Sequence, residues 1–310
     1  MIAVARSATL AVVKRVSRGI RETLPGDALV LAVSGRTGPP PLRFERADGG
    51  RWLLRQGERP LLVGRLTDGG CCPDLRLRRL DGYRSPLPPL TAAAQRARTA
   101  WAHHCARLLE EAPHGPLHDG RWHLRRRTAF EPGVWGEDYV TTWPDAELGL
   151  WCAGGWHGVL PLRPLSPPDA PRVKAYRRHA REGSLAPVLL WWVSFLDGWL
   201  ILDGHDRAVA ALAEGAEPVC VELVRAPDEA DSRRTLAEVT EAHEQLMARL
   251  DARPPHPGHA AQRAALERGY ADALGSLPYE PEGTRVWPLP GGAPAWDVLA
   301  ARAMLECPGD

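Results

Sequence analysis

Short apolar runs separated by Gly, Pro and Asp fill the first part of the chain, and this pattern predicts a small antiparallel sheet. Apolar and polar residues alternate within the runs, as they do in strands that bury one face. The predicted strands span residues 28–33, 42–45, 52–54, 61–66 and 75–80. Further strands are predicted at 122–130 and 138–143, followed by a hairpin of 147–152 with 156–162 around Gly154 and Gly155.

Other stretches place apolar residues every three or four positions, which predicts amphipathic helices. Pro25 and Gly26 end the first of these, and Thr91 begins the second. We expect the helices at 235–250 and 259–274 to pack as a helical hairpin against the sheet, and the last helix to dock near Trp287 and Trp296. The predicted helices span residues 5–24, 91–111, 172–182, 208–214, 235–250, 259–274 and 295–305.

The centre of the chain, residues 185–224, combines both patterns. Asp197 and Gly198 join the apolar runs 188–196 and 199–202, so these strands should pair as a hairpin. Asp203 and Gly204 break the second strand, and an alanine-rich helix follows that Gly215 can end. The backbone N–H groups of residues 204–207 then lie at a helix N-terminus, where unpaired donors and the positive end of the helix dipole favour an anion. This corner is a predicted phosphate-binding loop.

These elements predict an α+β fold in three parts. Residues 1–150 form an N-terminal α+β region, rich in strands, whose role the sequence does not indicate. Residues 151–227 form a mixed core domain, and residues 228–310 form a C-terminal helical extension packed on that core.

The composition of the chain excludes some classes of binding partner. With 310 residues and a net charge of +1, the chain has no overall field that would attract DNA or an acidic membrane. We expect no sequence-specific DNA binding, because the proline-rich connection between the helices at 235–250 and 259–274 is too long for a helix-turn-helix motif. No apolar run is long enough to span a membrane. The six cysteines show no paired spacing, which is typical of reduced thiols, and we expect a cytoplasmic protein.

Two clusters of Cys and His residues are candidate metal sites. Cys71 and Cys72 are adjacent and could act with His103, His104 or Cys105, while His114, His118 and His123 follow in a later segment. Neither cluster has the spacing of a known zinc motif, and neighbouring residues on a helix point in different directions. We expect no metal site built by the protein alone.

The segment from about 156 to 226 resembles the ParB/sulfiredoxin-like superfamily. An opening strand, an Arg-bearing segment, a Gly-x-Leu-x-Pro run, a hairpin with a Gly-x-x-Arg loop, and an alanine-rich helix follow in the order found there. The matching residues are Val159-Leu-Pro-Leu-Arg-Pro-Leu165, Arg172, Gly183-Ser-Leu-Ala-Pro-Val-Leu-Leu190, Asp197-Gly-Trp-Leu-Ile-Leu-Asp-Gly-His-Asp-Arg207 and Ala210-Ala-Leu-Ala-Glu-Gly215.

The resemblance implies a nucleotide- or phosphate-binding protein. In that superfamily the Gly-x-x-Arg loop holds the phosphates of CTP, ATP or ADP, which implies one of these with Mg²⁺ as cofactor and a nucleotide or phosphorylated small molecule as partner. Carried onto this chain, the binding residues are Gly204, His205, Asp206, Arg207 and Arg172. Gly204 allows close approach of the backbone to a phosphate, and Arg207 offers a forked, permanently charged donor.

Two alternatives stay open at this corner. Asp203 and His205 can act as the catalytic residues of a small-molecule phosphotransferase, with a carboxylate holding Mg²⁺ or acting as base while His205 moves a proton. His205 stands where sulfiredoxin has its catalytic Cys, so sulfinic-acid reduction is not implied. Alternatively, the domain is a non-catalytic scaffold or interaction protein in which Arg207 is buried in an internal ion pair. The sequence does not decide whether the protein is an enzyme.

Overall fold

A computed structural model describes residues 12–16, 28–66, 74–91, 94, 100–150, 156–254, 256–276 and 282–303, with backbone only at 12–16 and 276. Its strands are β1 (Val12–Val16), β2 (Leu29–Ser34), β3 (Leu42–Ala47), β4 (Arg51–Gln56), β5 (Arg59–Leu66), β6 (Asp74–Arg79), β7 (Gly120–Arg127), β8 (Asp145–Gly149), β9 (Val159–Pro161), β10 (Val188–Val193), β11 (Gly198–Asp203), β12 (Cys220–Ala226) and β13 (Val286–Pro288). Its helices are α1 (Trp101–Glu111), α2 (Pro171–Arg181), α3 (His205–Ala213), α4 (Glu229–Asp251), α5 (His259–Ser276) and α6 (Gly292–Ala303).

The strands form two mixed sheets, which with the helices give the α+β fold that the sequence predicts. The seven-stranded sheet has the order β1-β2-β7-β12-β10-β11-β9, and the six-stranded sheet has the order β13-β3-β4-β5-β6-β8. Most neighbours are antiparallel; β10 with β12, β9 with β11, and β3 with β13 are parallel.

The main hydrophobic core lies between the two sheets. On β7 and β10 every second side chain faces this core, as the period of a strand requires. Phe44 of the six-stranded sheet meets Trp191 of the seven-stranded sheet at a ring-centroid distance of 5.4 Å, and helix α1 adds buried Cys105 and Leu109 to the same core.

Each sheet is also covered on its outer face. Helix α6 packs Trp296 against Leu53 and Val63 of the six-stranded sheet. The outer face of the seven-stranded sheet packs against α3 and against the segment 128–140. The docking of the last helix through Trp296 is therefore confirmed, and the indole Nε1 also donates to the carbonyl of Trp52 at 2.9 Å.

The seven-stranded sheet takes strands from both sides of the boundary predicted at residues 150 and 151. Strands β2 and β7 come from the N-terminal region, and residues 121–127 of β7 pair with β12. The C-terminal extension joins the body too, because β13 pairs with β3. Strands from more than one of the three predicted parts therefore pair within the same sheet.

Three element predictions are wrong. The strand predicted at 138–143 is reduced to a single bridge of Tyr139 with Val159. The helix predicted at 5–24 contains strand β1, which pairs antiparallel with β2; its valines are β-branched and favour extended backbone, and the other residues of that range lie outside the described residues. The hairpin predicted from 147–152 and 156–162 does not form, because β8 pairs with β6 in one sheet and β9 pairs with β11 in the other.

Helices α4 and α5 form the predicted helical hairpin. The imidazole of His243 stacks on the ring of Tyr270 at 4.2 Å, and Thr240 hydrogen-bonds the Tyr270 hydroxyl. Of the described leucines of α4, Leu236 and Leu246 are 44% and 45% exposed, so these two side chains do not pack on the sheet as expected, whereas Leu250 is buried. Among the described residues, no helix combines the length and apolar character that crossing a bilayer requires.

Trp296→Ala should lower the free energy of unfolding by about 3–5 kcal/mol, because it leaves a cavity where a large buried side chain packs. Urea denaturation followed by circular dichroism measures the change. Val298→Ala on the same helix is the matched control, since Val298 is 51% exposed and its truncation should change little. Equal effects of the two substitutions would contradict the docking of α6.

Candidate functional site

The strand–loop–helix corner forms as the sequence predicts. Gly204 is the N-cap of α3 with φ +95°, and a Cβ there would lie 2.7 Å from the nearest Arg207 guanidinium nitrogen, so this position requires glycine. Gly215 has φ +73° and follows the C-cap. Its N–H donates to Leu212 and that of Ala216 donates to Ala211, which is a Schellman ending.

Arg207 points into the protein and is 4% exposed. One terminal nitrogen of its guanidinium donates to Asp203 Oδ2 at 2.7 Å and to the carbonyl of Pro187 at 3.0 Å. Asp203 also accepts from the hydroxyl of Ser85 at 2.8 Å. Arg207, predicted to bind phosphate, and Asp203, predicted to be a catalytic carboxylate, therefore form an internal ion pair.

His205 is also enclosed, with 2% exposure. Its Nε2 accepts the backbone N–H of Leu162 at 3.1 Å, which fixes the neutral tautomer protonated on Nδ1. Burial, and then the charges of Arg163 and Arg207, lower the pKa of His205 well below its ordinary value. His205 is thus a neutral, structural hydrogen-bond acceptor.

The N-terminal region covers this corner. The ring of Tyr83 lies 6.0 Å from the imidazole of His205, and the Tyr83 hydroxyl donates to the carbonyl of Leu202 at 2.7 Å. Burial, and then the charge of Asp203, raise the pKa of Tyr83 well above its ordinary value. A residue outside the resembling segment therefore helps to seal the loop.

Asp206 carries the negative charge at the start of α3, where the sequence predicts a phosphate. It is 5% exposed and accepts a hydrogen bond from Ser166 Oγ at 2.9 Å. Arg163 forms an ion pair with it at 2.9 Å, and Arg172 Nε lies 3.6 Å from its other oxygen. A carboxylate of the protein thus occupies the electrostatic position of a bound anion.

The structure divides the predicted site residues between two networks. Asp203 and Arg207 meet on the inner side of the corner, whereas Asp206 and Arg172 meet on the outer side. The Arg207 N–H donates to the Gly204 carbonyl at 2.8 Å, so this predicted phosphate donor is already engaged.

Sequence reasoning did not identify Arg163 and Ser166, which hold Asp206. Arg163 lies within the strand segment used for the resemblance, but no spacing rule links it to Asp206. Asp203 and Arg207 are four residues apart, a spacing at which side chains can pair at the start of a helix, but this spacing does not indicate that the pair is buried.

Among the described residues no group of three or more His, Cys, Asp or Glu side chains is arranged to hold a metal ion. Cys71 and Cys72 lie outside the described residues. Cys105 is 4% exposed, and burial raises the pKa of its thiol to about 12, so it is not a reactive thiolate. Arg163 and Arg172, with side chains 37% and 63% exposed, are the positive groups at this corner that a phosphate from solvent can reach.

No protein-family model matches the chain, and searches of curated proteins and of solved structures likewise found no match.

Because His205 is buried and neutral, the free energy of unfolding should decrease as the pH is lowered. Its pKa is depressed in the folded state, so its contribution is complete above about pH 6.5 and is lost as the pH falls and the unfolded chain binds a proton. Urea unfolding at pH 7, 6 and 5 should show a slope of up to ~1.4 kcal/mol per pH unit from this group. His205→Gln, which keeps an acceptor for Leu162, should reduce the slope.

The matched control is His103→Gln, whose side chain is exposed and which should keep the wild-type slope. Part of the slope remains in His205→Gln because burial also lowers the pKa of His118. An unchanged slope in His205→Gln would contradict the burial of a neutral imidazole at this position.

Arg207→Met should destabilise the fold by about 3 kcal/mol, because it leaves the Asp203 carboxylate without its charged partner. Arg172→Met removes the same charge from a side chain that is 63% exposed, and should cost less than about 1 kcal/mol. Urea denaturation of both variants at one pH makes the comparison. A loss of stability for Arg207→Met no larger than for Arg172→Met would show that the internal pair contributes nothing.

Proposed function

We propose that the protein is a non-catalytic scaffold, in which the Gly-x-x-Arg corner holds the fold together. The observation that carries the proposal is the internal ion pair of Arg207 with Asp203, reinforced by the Pro187 carbonyl and 4% exposure of Arg207. Phosphate binding by Arg207 would require breaking a buried, hydrogen-bonded pair, which costs several kcal/mol.

The state of the other residues argues against phosphotransfer. A general base must reach the proton that it removes, and its pKa should lie near the working pH. His205 is 2% exposed with a strongly lowered pKa, and Asp203 is committed to Arg207 and Ser85. The phosphotransferase is therefore the least supported of the three functions that the sequence leaves open.

The scaffold proposal retains the resemblance to the ParB/sulfiredoxin-like superfamily as a kinship of architecture. The segment runs β9, α2, β10, β11, α3 and β12, the order that the resemblance implies. A cytoplasmic location belongs to the same proposal, supported by the free buried thiols of Cys105 and Cys220.

Nucleotide or phosphate binding is the second candidate, favoured by the outer network. Arg163 and Arg172 converge on Asp206 at the N-terminus of α3, and both are accessible. An incoming phosphate, with or without Mg²⁺, would take over the arginines from Asp206. Repulsion by the Asp206 carboxylate opposes this exchange, which is why it ranks second.

A thermal-shift experiment with ATP, ADP and CTP, each at about 5 mM with Mg²⁺, separates the two candidates. The scaffold proposal expects no rise in Tm beyond about 1 °C, because no ligand binds the folded state preferentially. A larger rise that Arg172→Ala abolishes would overturn it in favour of nucleotide binding. Arg178→Ala on the same helix, where the Arg178 side chain is 76% exposed, is the control for loss of a surface charge.

A further inference from the structure

A separate cavity of about 230 Å³ opens on the outer face of the seven-stranded sheet. Adjacent strands provide its floor and wall, with Arg125 of β7 opposite Glu222 of β12, and Trp192 of β10 opposite Trp199 of β11. We call it the Glu222 pocket. It shares no lining residue with the α3 corner, so its chemistry is independent of the function proposed above.

The floor of the Glu222 pocket carries a net positive charge. Glu222 is fully buried and accepts from Arg125 Nε at 2.5 Å and from Trp199 Nε1 at 2.6 Å, while Arg127 lies 3.6 Å from it. A buried carboxylate in a sheet must be paired, and here it holds two guanidinium groups in place. One carboxylate balances only one of the two arginines.

Both arginines keep donors for a ligand. A guanidinium has five N–H groups, and Glu222 engages one nitrogen of each residue. The side chains of Arg125 and Arg127 are 24% and 28% exposed, so they are reachable from the cavity. Two fixed guanidinium groups on alternate residues of one strand suit a carboxylate, which both can bind.

The wall and the rim have different chemistry. Trp192, Trp199 and Val134 supply an apolar wall. Arg127 is held over the Trp199 ring at 4.9 Å, which fixes its orientation. The rim carries two carboxylates, that of exposed Glu131 and that of Asp197, which is 32% exposed and lies 3.4 Å from Nδ1 of His157. The pocket therefore runs from a positive floor past an apolar wall to a negative rim.

We propose that the Glu222 pocket binds a free amino acid with an apolar side chain. The ligand carboxylate lies on Arg125 and Arg127, the ammonium group faces Glu131 and Asp197, and the side chain packs on Trp192. The volume of about 230 Å³ suits a molecule of this size and is smaller than the pockets that take drug-sized ligands. A ligand that has only a carboxylate or only an ammonium group can pair with the floor or with the rim of the pocket, but not with both.

Calorimetry and tryptophan fluorescence test the proposal with the full chain. The probes are the common L-amino acids at up to about 10 mM, together with 3-phenylpropionate and 2-phenylethylamine, which lack the amine and the carboxylate of phenylalanine. We expect an apolar amino acid to bind, and the matching probe that lacks either charge to bind about tenfold more weakly or worse. Absence of binding by every amino acid, or equal affinity for the one-charge probes, would overturn the proposal.

Variants locate the site. Arg127→Met keeps an apolar side chain over Trp199 and should weaken amino-acid binding by about tenfold. Arg126→Met is the matched control, because Arg126 is exposed and, by strand alternation, faces the other side of the sheet. Equal affinity of the two variants would place the ligand elsewhere and overturn the assignment.

Glu131→Gln keeps the test decisive if Arg127→Met does not fold. Glu131 is exposed, so its substitution leaves the fold intact, and it should weaken binding of the amino acid while leaving 3-phenylpropionate unaffected. An equal loss for both probes, or no loss for either, would contradict the predicted orientation of the ligand.

Discussion

The buried ion pair between Arg207 and Asp203 is the constraint around which the central segment is arranged. It joins the end of β11 to the first turn of α3, and through the Pro187 carbonyl it joins both to the chain just before β10. A charge removed from water must be paired, so these pieces cannot separate without exposing or stranding an ion. Gly204 is required beside it because a side chain there would meet the guanidinium.

The ion pair between Arg207 and Asp203 also makes the α3 corner a structural element of the fold and leaves Arg207 unavailable to a ligand. Arg207 points inward, and the negative charge at the outer side of the N-terminus of α3 is that of Asp206, which accepts a hydrogen bond from Ser166 and forms an ion pair with Arg163. A carboxylate of the protein thus lies at the helix N-terminus where the sequence predicts a phosphate. We therefore expect ligand binding at other surfaces of the protein. The Glu222 pocket, on the outer face of the seven-stranded sheet, is one such surface, because it combines accessible arginines with an aromatic wall.

Local signals in the sequence predicted the backbone elements of this corner, whereas strand pairing over long distances in the chain could not be predicted. The hairpin at Asp197, the break at Gly204 and the Gly215 ending follow from turn and cap preferences within a few residues. The partners of β8 and β9 are not the strands next to them in the sequence, so an apolar run alone could not assign them. The direction of the Arg207 side chain depends on Pro187 and on the core around it, which no nearby residue specifies.

A double-mutant cycle with Asp203→Asn and Arg207→Met tests the central claim most directly, because it isolates the energy that the two side chains share. The account predicts a coupling free energy of about 2 kcal/mol in urea unfolding, unchanged when ATP or CTP is present with Mg²⁺. A coupling near zero would show that the two side chains share no stabilising energy. A coupling that disappears when nucleotide is added would show that Arg207 is available to a ligand, and either result would contradict the account.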